Sequence, residues 1–110
     1  MIPSQMLKET LEGCILKIIS RSETYGYEIS EGLKEYGFTD ISEGTVYPML
    51  LRLEKNGLIE AEYRESPVGP KRKYFSITED GKKEIAEFRS NWSELESAVN
   101  RLFGNSKKGN

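Results

Sequence analysis

The 110-residue sequence contains no histidine and only one cysteine, Cys14. A metal site is not expected, because zinc sites in proteins are built mainly from histidine and cysteine. Catalysis by a nucleophile with a histidine base is excluded, and a single cysteine cannot form a disulfide within the chain. An enzyme would have to rely on carboxylates, lysine or tyrosine, and no pair of carboxylates stands out as a catalytic couple. We therefore predict no catalytic residue and no cofactor.

Long apolar segments and a net positive charge are also lacking. No run of about 18 apolar residues occurs, so no membrane-spanning segment is predicted. The opening stretch MIPSQMLKETLEG is too polar for a signal peptide, so a cytoplasmic protein is expected. The formal net charge is −2, from 16 basic and 18 acidic residues. Because nucleic-acid-binding domains usually have a high pI, contact with phosphates would have to use a local basic patch.

Apolar residues at spacings of three and four predict three helices in the first half of the chain. The first is predicted over residues 5–20. The second opens within SETYGYEI and ends at Gly37, and the third begins after the predicted cap Ser42 and ends at Asn56-Gly57. The apolar stripes consist of Leu7, Leu11, Cys14, Ile15, Ile18 and Ile19, then Tyr25, Ile29, Leu33 and Tyr36, then Val46, Met49, Leu50 and Leu53.

After the third helix the apolar pattern changes to strict alternation, which predicts strands. LIEAEYRE and KRKYFSI alternate, and the turn-forming segment SPVGP joins them. We therefore predict a β-hairpin over residues 58–77, with Ile59, Ala61 and Tyr63 facing inward.

A last helix is predicted after Thr78, which can cap it, and the expected helical segment covers residues 78–104. Its apolar residues keep alternating spacings of three and four for nearly three heptads, the pattern of a helix that packs on a partner helix. A domain of this size cannot cover such a helix, so we predict a homodimer. The predicted dimerisation residues are Leu7, Phe88, Trp92, Leu95, Val99 and Leu102. Residues 105–110 contain no apolar side chain and are predicted to be a disordered tail.

The predicted architecture is mostly α with a small β-hairpin. It consists of a winged helix-turn-helix domain over residues 4–77 and a long C-terminal dimerisation helix. In such a module one helix can enter the major groove of double-stranded DNA, while the hairpin places cations on phosphates. The basic run Lys71-Arg72-Lys73 behind the hairpin tip has a second interpretation, because charges on an edge strand also discourage aggregation.

Three segments carry a family resemblance. YGYEIS, SEGTVYPMLLRLEKNGLI and GPKRKYFSITEDG occur in an order and spacing that resembles the PadR family of transcriptional regulators. The resemblance implies a homodimeric DNA-binding repressor of the branch with a single C-terminal helix. Two-fold symmetry would then favour a palindromic operator. The resemblance also suggests that a hydrophobic or aromatic small-molecule effector binds at the dimer interface. Trp92 and Phe88 are its candidate contacts.

The candidate DNA-binding residues come from the third helix and the hairpin. They are Ser42, Thr45, Tyr47, Arg52, Arg64, Lys71, Arg72 and Lys73. Taken alone, the apolar pattern of the third helix is also typical of an ordinary amphipathic helix that does not contact DNA. The acidic balance of the chain favours an alternative function, a winged-helix module that binds another protein and not DNA.

Overall fold

The computed structural model of the protein describes residues 2–8 and 10–104, so the predicted tail at 105–110 lies outside the described residues. The mostly helical chain with a small antiparallel sheet confirms the predicted fold class. The elements of the described residues, in chain order, are α1 (Ser4–Leu7), α2 (Leu11–Arg21), β1 (Thr24–Tyr25), α3 (Gly26–Glu35), α4 (Glu43–Lys55), β2 (Ile59–Arg64), β3 (Arg72–Ile77) and α5 (Glu79–Leu102).

The prediction of one helix over residues 5–20 is wrong, because the chain turns between α1 and α2. The Thr10 hydroxyl donates to the carbonyls of Met6 and Leu7 at 3.4 and 3.3 Å, and the Thr10 N–H bonds to the Leu7 carbonyl at 3.1 Å. Local bonding by a threonine hydroxyl competes with the regular helical ladder. The apolar period continues across the turn, so it did not reveal the break.

The predicted two-stranded hairpin is part of a three-stranded sheet with the order β1-β3-β2. The added strand β1 pairs Thr24 with Phe75 and Tyr25 with Tyr74. The second helix therefore begins only at Gly26, and the prediction that Tyr25 belongs to its apolar stripe is wrong. Tyr36 is also 64% exposed and lies outside the core.

The hydrophobic core lies between α2, α3, α4 and the sheet. Its fully buried members are Leu11, Ile15, Leu16, Ile19, Ile29, Leu33, Val46, Leu50, Leu53, Ile59 and Phe75. Burial decreases along β2 as the hairpin leaves this core: Ile59 is 2% exposed, Ala61 is half-buried and Tyr63 is 62% exposed. The inward position predicted for Tyr63 is therefore wrong, because no core lies beneath the outer part of the hairpin.

The start of the hairpin and the start of α5 are joined at one point. Gly57 has a φ of 76°, and the N–H of Leu58 reaches the carbonyl of Leu53 at 3.0 Å, which ends α4 in the way that glycine favours. Thr78 confirms its predicted role as a cap, since its hydroxyl oxygen accepts from the Gly81 N–H at 3.0 Å. The same hydroxyl donates to the Gly57 carbonyl at 2.8 Å, so the cap also holds the end of α4.

The long helix α5 leaves the winged domain after its first turns. Ile85 packs on the core, and Phe88 lies against Gly13 of α2. From Arg89 to Val99 every residue of α5 is exposed. None of the described helices is long and apolar enough to cross a membrane.

Candidate nucleic-acid interface

The helix α4 is fixed by its buried face and by its N-cap. Val46, Leu50 and Leu53 are 0%, 0% and 1% exposed. The Ser42 hydroxyl accepts from the Thr45 N–H at 3.3 Å, which confirms the predicted cap. The Ser42 and Thr45 side-chain oxygens also lie 3.3 Å apart. Both hydroxyls are therefore presented together on the exposed N-terminal turn, where a helix dipole favours anions.

The outward face of α4 combines aromatic, apolar and polar groups. Tyr47 and Leu51 are 45% and 43% exposed, and Pro48 lies between them in the sequence. Pro48 is the sixth residue of α4, beyond its first turn, so the helix lacks the hydrogen bond that an N–H here would donate to the Gly44 carbonyl. On this face the Tyr47 hydroxyl can donate to a base edge or a sugar, and Leu51 offers an apolar contact.

Arg52, also predicted to contact DNA, is held by an acid from another helix. Its Nε donates to Oε2 of Glu12 on α2 at 2.7 Å, and its Nη2 contacts the same oxygen. The Arg52 side chain is 54% exposed and that of Glu12 is 26% exposed. The guanidinium therefore lies at the surface but already has a negative partner.

Arg64 at the end of β2 is held by two acids. Its Nη2 donates to Glu23 at 2.7 Å and to Glu62 at 3.2 Å. The hydrogen bond from Arg64 lowers the pKa of the Glu23 carboxyl, and the two acids together raise the pKa of Arg64. Both Arg64 and Glu23 are therefore charged throughout the neutral range.

The basic run that follows the hairpin tip does not act as one patch. Lys71 lies 4.0 Å from Glu65, with both side chains strongly exposed. Lys73 is only 18% exposed and pairs with Glu54 of α4 at 3.1 Å. Partial burial works against the charged form of Lys73, but the hydrogen bond and charge of Glu54 outweigh it and raise the pKa of the lysine. Lys73 thus joins the hairpin to α4.

Arg72 has an aromatic support. Its guanidinium carbon lies 4.2 Å from the centre of the Tyr25 ring, which in turn packs on Tyr74 with 5.3 Å between ring centres. The hydrogen bond that Arg72 donates to the Tyr74 hydroxyl contributes most to raising the pKa of Arg72. Neither the aromatic ring nor the single hydroxyl occupies all five N–H donors of the guanidinium, so donors remain for a phosphate. The sequence pattern placed Tyr25 in a helix and so missed this support.

The charges of the candidate interface nearly cancel. Arg52, Arg64, Lys71 and Lys73 each have a carboxylate within 4.0 Å, and the acids concerned are Glu12, Glu23, Glu54, Glu62 and Glu65. With Arg72 included, the predicted DNA-contacting cations number five, as do the acids paired with them. Among the described residues, Arg72 is the one predicted DNA-contacting cation without a carboxylate at this distance. Four of the five predicted DNA-contacting cations are therefore already paired with an acid.

The outer part of α5 carries an exposed apolar row. Its members are Trp92, Leu95, Val99, Leu102 and Phe103, with exposed fractions from 41% for Trp92 to 84% for Leu102. Two other residues predicted for dimerisation lie elsewhere. Leu7 is 8% exposed and belongs to the subunit's own core, and Phe88 is half-buried against Gly13 of the same chain.

Two concave sites of the described residues lie away from the candidate effector residues. Two shallow depressions of about 340 and 480 Å³ are lined by Ser93, Glu96, Ser97, Asn100 and Arg101, and by Glu54, Gly57, Ile59, Glu60, Ala61 and Thr78. Trp92 and Phe88 line neither of them. Across the described part of the chain, no group of three or more Cys, Asp or Glu side chains is placed to hold a metal ion.

Three packed helices, a short strand and a projecting hairpin next to an exposed helix face define a winged helix-turn-helix protein. A family model, the transcriptional regulator PadR-like family, matches residues 15–87. The fold is similar to that of a PadR-like transcriptional regulator from Bacillus cereus, with 52% identity, a TM-score of 0.80, and coverage of 90% of this chain and 96% of that one. It is also similar to a Streptococcus transcriptional regulator, with 45% identity, a TM-score of 0.79, and coverage of 89% and 96%.

The sequence is 33% identical over 85 residues to a transcriptional regulator from Mycobacterium tuberculosis, covering 77% of this chain and 78% of that relative. The chain belongs to the PadR-like family, which confirms the resemblance described above. Its members are transcriptional regulators and not enzymes, and DNA-binding regulation is the role that this membership implies.

Proposed function

We propose that the protein is a repressor that binds a palindromic operator as a homodimer. The exposed face of α4 enters the major groove through Ser42, Thr45 and Tyr47. The hairpin β2–β3 contacts flanking phosphates, chiefly through Arg72. Two subunits related by a two-fold axis present two such helices about 34 Å apart, which corresponds to half-sites in successive major grooves.

The observation that carries the proposal is the continuous surface formed by α4 and the hairpin. Lys73 of β3 reaches Glu54 of α4 at 3.1 Å, so the two elements are held in one arrangement. Among the described residues Arg72 has no carboxylate within 4.0 Å, and its partners are the Tyr25 ring and the Tyr74 hydroxyl. Because a guanidinium carries five N–H donors, it keeps donors for a phosphate. A helix for base edges beside a cation for phosphates is the arrangement that sequence-specific recognition requires.

The exposed apolar row of α5 supports the homodimer. Trp92, Leu95 and Val99 repeat at the spacing of a helix–helix seam, yet they stay 41%, 55% and 43% exposed among the described residues. Exposed apolar rows of this length are unfavourable in water, and an equivalent helix from a second subunit would bury them. Repression, as opposed to activation, is supported only by the family resemblance.

A hydrophobic or aromatic effector beside Trp92 and Phe88 is the last part of the proposal. Phe88 and Trp92 are one turn apart on α5, so pairing of two subunits would bring four aromatic rings near the two-fold axis. Apolar interfaces lined by aromatic side chains are common ligand sites. Trp92 is the one tryptophan of the chain, so its fluorescence would report binding directly.

The test is selection of bound fragments from the host genome, followed by titration of the recovered site at several salt concentrations. We expect one protein dimer per palindromic site. Affinity should fall with salt, with a slope of about 0.9 for each phosphate contact. Binding that is absent at every sequence would refute the repressor. It would favour the alternative of a protein-binding winged helix, to which the near cancellation of charge at the interface is suited.

A further inference from the structure

Two of the cation–carboxylate pairs at the candidate interface are formed by the tertiary fold. Glu12 of α2 holds Arg52 of α4, 40 residues further along the chain. Glu23, just before β1, holds Arg64 of β2 across 41 residues. In each case an acid from outside the DNA-facing elements is brought onto a cation within them.

These pairs lie at the surface. The side chains of Arg52 and Arg64 are 54% and 38% exposed, and that of Glu23 is 47% exposed. Exposed ion pairs contribute little to folding stability, because water and salt screen them. Their larger effect is on the guanidinium donors. Nε and Nη2 of Arg52 both point to one oxygen of Glu12, and a phosphate that approaches the same edge of the guanidinium would compete for these donors.

We propose that Glu12 and Glu23 compete with DNA phosphates for Arg52 and Arg64, and so restrain the binding of this protein to DNA of any sequence. The inference rests on the proposed DNA-binding function and adds a role for two acids outside the recognition elements. Binding to DNA without sequence preference comes almost entirely from cations on phosphates. An acid held on such a cation therefore weakens this binding while leaving the base-reading groups of α4 unchanged.

The experiment compares Glu12→Gln and Glu23→Gln with the unaltered protein on a labelled duplex of random sequence, by fluorescence anisotropy over a range of salt concentrations. The matched control is Glu31→Gln. Glu31 pairs with Lys34 at 3.1 Å on α3 and lies outside the candidate interface, so this change removes the same charge and a similar ion pair. Circular dichroism establishes that each variant is folded.

Each of the two interface variants should bind random DNA about two- to fivefold more tightly than the control variant, the range expected for release of one exposed pair. The salt slope of Glu12→Gln should also steepen, by up to about 0.9, because Arg52 then meets a phosphate without competition. The slope of Glu23→Gln should steepen less, because Glu62 still holds Arg64. Equal affinities for all three variants would mean that only the total charge matters. That result, or weaker binding by folded Glu12→Gln and Glu23→Gln, would overturn the inference.

A double-mutant cycle identifies the cation through which Glu12 acts. Arg52→Ala is made both in the unaltered protein and together with Glu12→Gln. If Glu12 competes for Arg52, the gain from Glu12→Gln disappears once Arg52 is absent. A gain that persists without Arg52 would contradict the mechanism.

The outcome is separable from that of the proposed function. If the unaltered protein binds its selected site and the variants behave like Glu31→Gln, the inference about Glu12 and Glu23 is wrong. The proposed repressor function is then unaffected. If the unaltered protein and all variants fail to bind any duplex at low salt, both the proposed function and the restraint are wrong.

Discussion

The contact between Gly13 and Phe88 sets how α5 leaves the winged domain, and Gly13→Ala tests it directly. A Cβ at position 13 would lie 2.5 Å from Cγ of Phe88 and 2.6 and 2.7 Å from the two Cδ atoms. These atoms are at the root of the ring and not at the end of a flexible chain. Phe88 could avoid the added methyl only by changing its rotamer or by moving α5 as a whole.

The size of the effect follows from a comparison with Gly32→Ala. A Cβ on Gly32 of α3 would meet only Ile18 Cδ1, at 3.6 Å, an ordinary contact. This variant should gain about 0.5–1 kcal/mol, since alanine favours a helix over glycine. Gly13→Ala gains a similar amount but adds overpacking of about 1–3 kcal/mol. The unfolding free energies of the two variants should therefore differ by about 1–3 kcal/mol, with Gly13→Ala the less stable.

Urea unfolding at one fixed protein concentration measures this difference, since the stability of the proposed dimer would depend on concentration. In a thermal scan, about 1 kcal/mol corresponds to a shift of roughly 4–8 °C for a domain near this size. The penalty of Gly13→Ala should shrink when Phe88 is replaced by the smaller leucine. Equal stability of Gly13→Ala and Gly32→Ala would show that Phe88 does not pack on Gly13, and the reasoning about α5 would be wrong.

Three further predictions concern the apolar row, the hairpin and the cap of α5. Val99→Glu should give monomers in sedimentation, because it places a charge in the proposed dimer contact. Ser97→Glu, on the opposite side of α5, should leave the proposed dimer intact, and monomers from both variants would refute the assignment of the contact. Arg72→Ala should weaken binding to all duplexes and flatten the salt slope by about 1. Lys73→Ala should change the slope less, because Glu54 already neutralises this lysine, and equal slopes for the two variants would contradict the Lys73–Glu54 pair. Thr78→Ala should lower the free energy of unfolding by about 0.5–2 kcal/mol and Thr78→Ser much less, as urea melts would show; equal losses would mean that the hydroxyl does not cap α5.

Several elements could be predicted from the sequence because their causes are local. The period of apolar residues places α3, α4 and α5, and the alternation in LIEAEYRE and KRKYFSI places β2 and β3. The start of α4 at Ser42 and its end before Gly57 follow from bonds between residues three to five positions apart. The fold class and the order of these five elements depend on such signals, and they agree with the structure.

Other features escaped prediction because their causes lie far apart in the sequence. β1 is a strand only because Phe75 and Tyr74 of β3 pair with it. The exposure of Tyr63 depends on how far the hairpin extends beyond the core, which the alternation of residues does not encode. The turn at Thr10 has a local cause, but the apolar period continues through it and conceals it.

The amino-acid sequence by itself determined the helices, the hairpin and the presence of a basic run, because backbone propensity, capping and apolar period act over a few residues. Only the tertiary structure decided the charge of the candidate interface. It brought Glu12 to Arg52 and Glu23 to Arg64 across 40 and 41 residues, and it placed the Tyr25 ring beneath Arg72. Electrostatic interactions depend on distance in space and not on distance along the chain, so the availability of each cation to DNA follows from the folded arrangement.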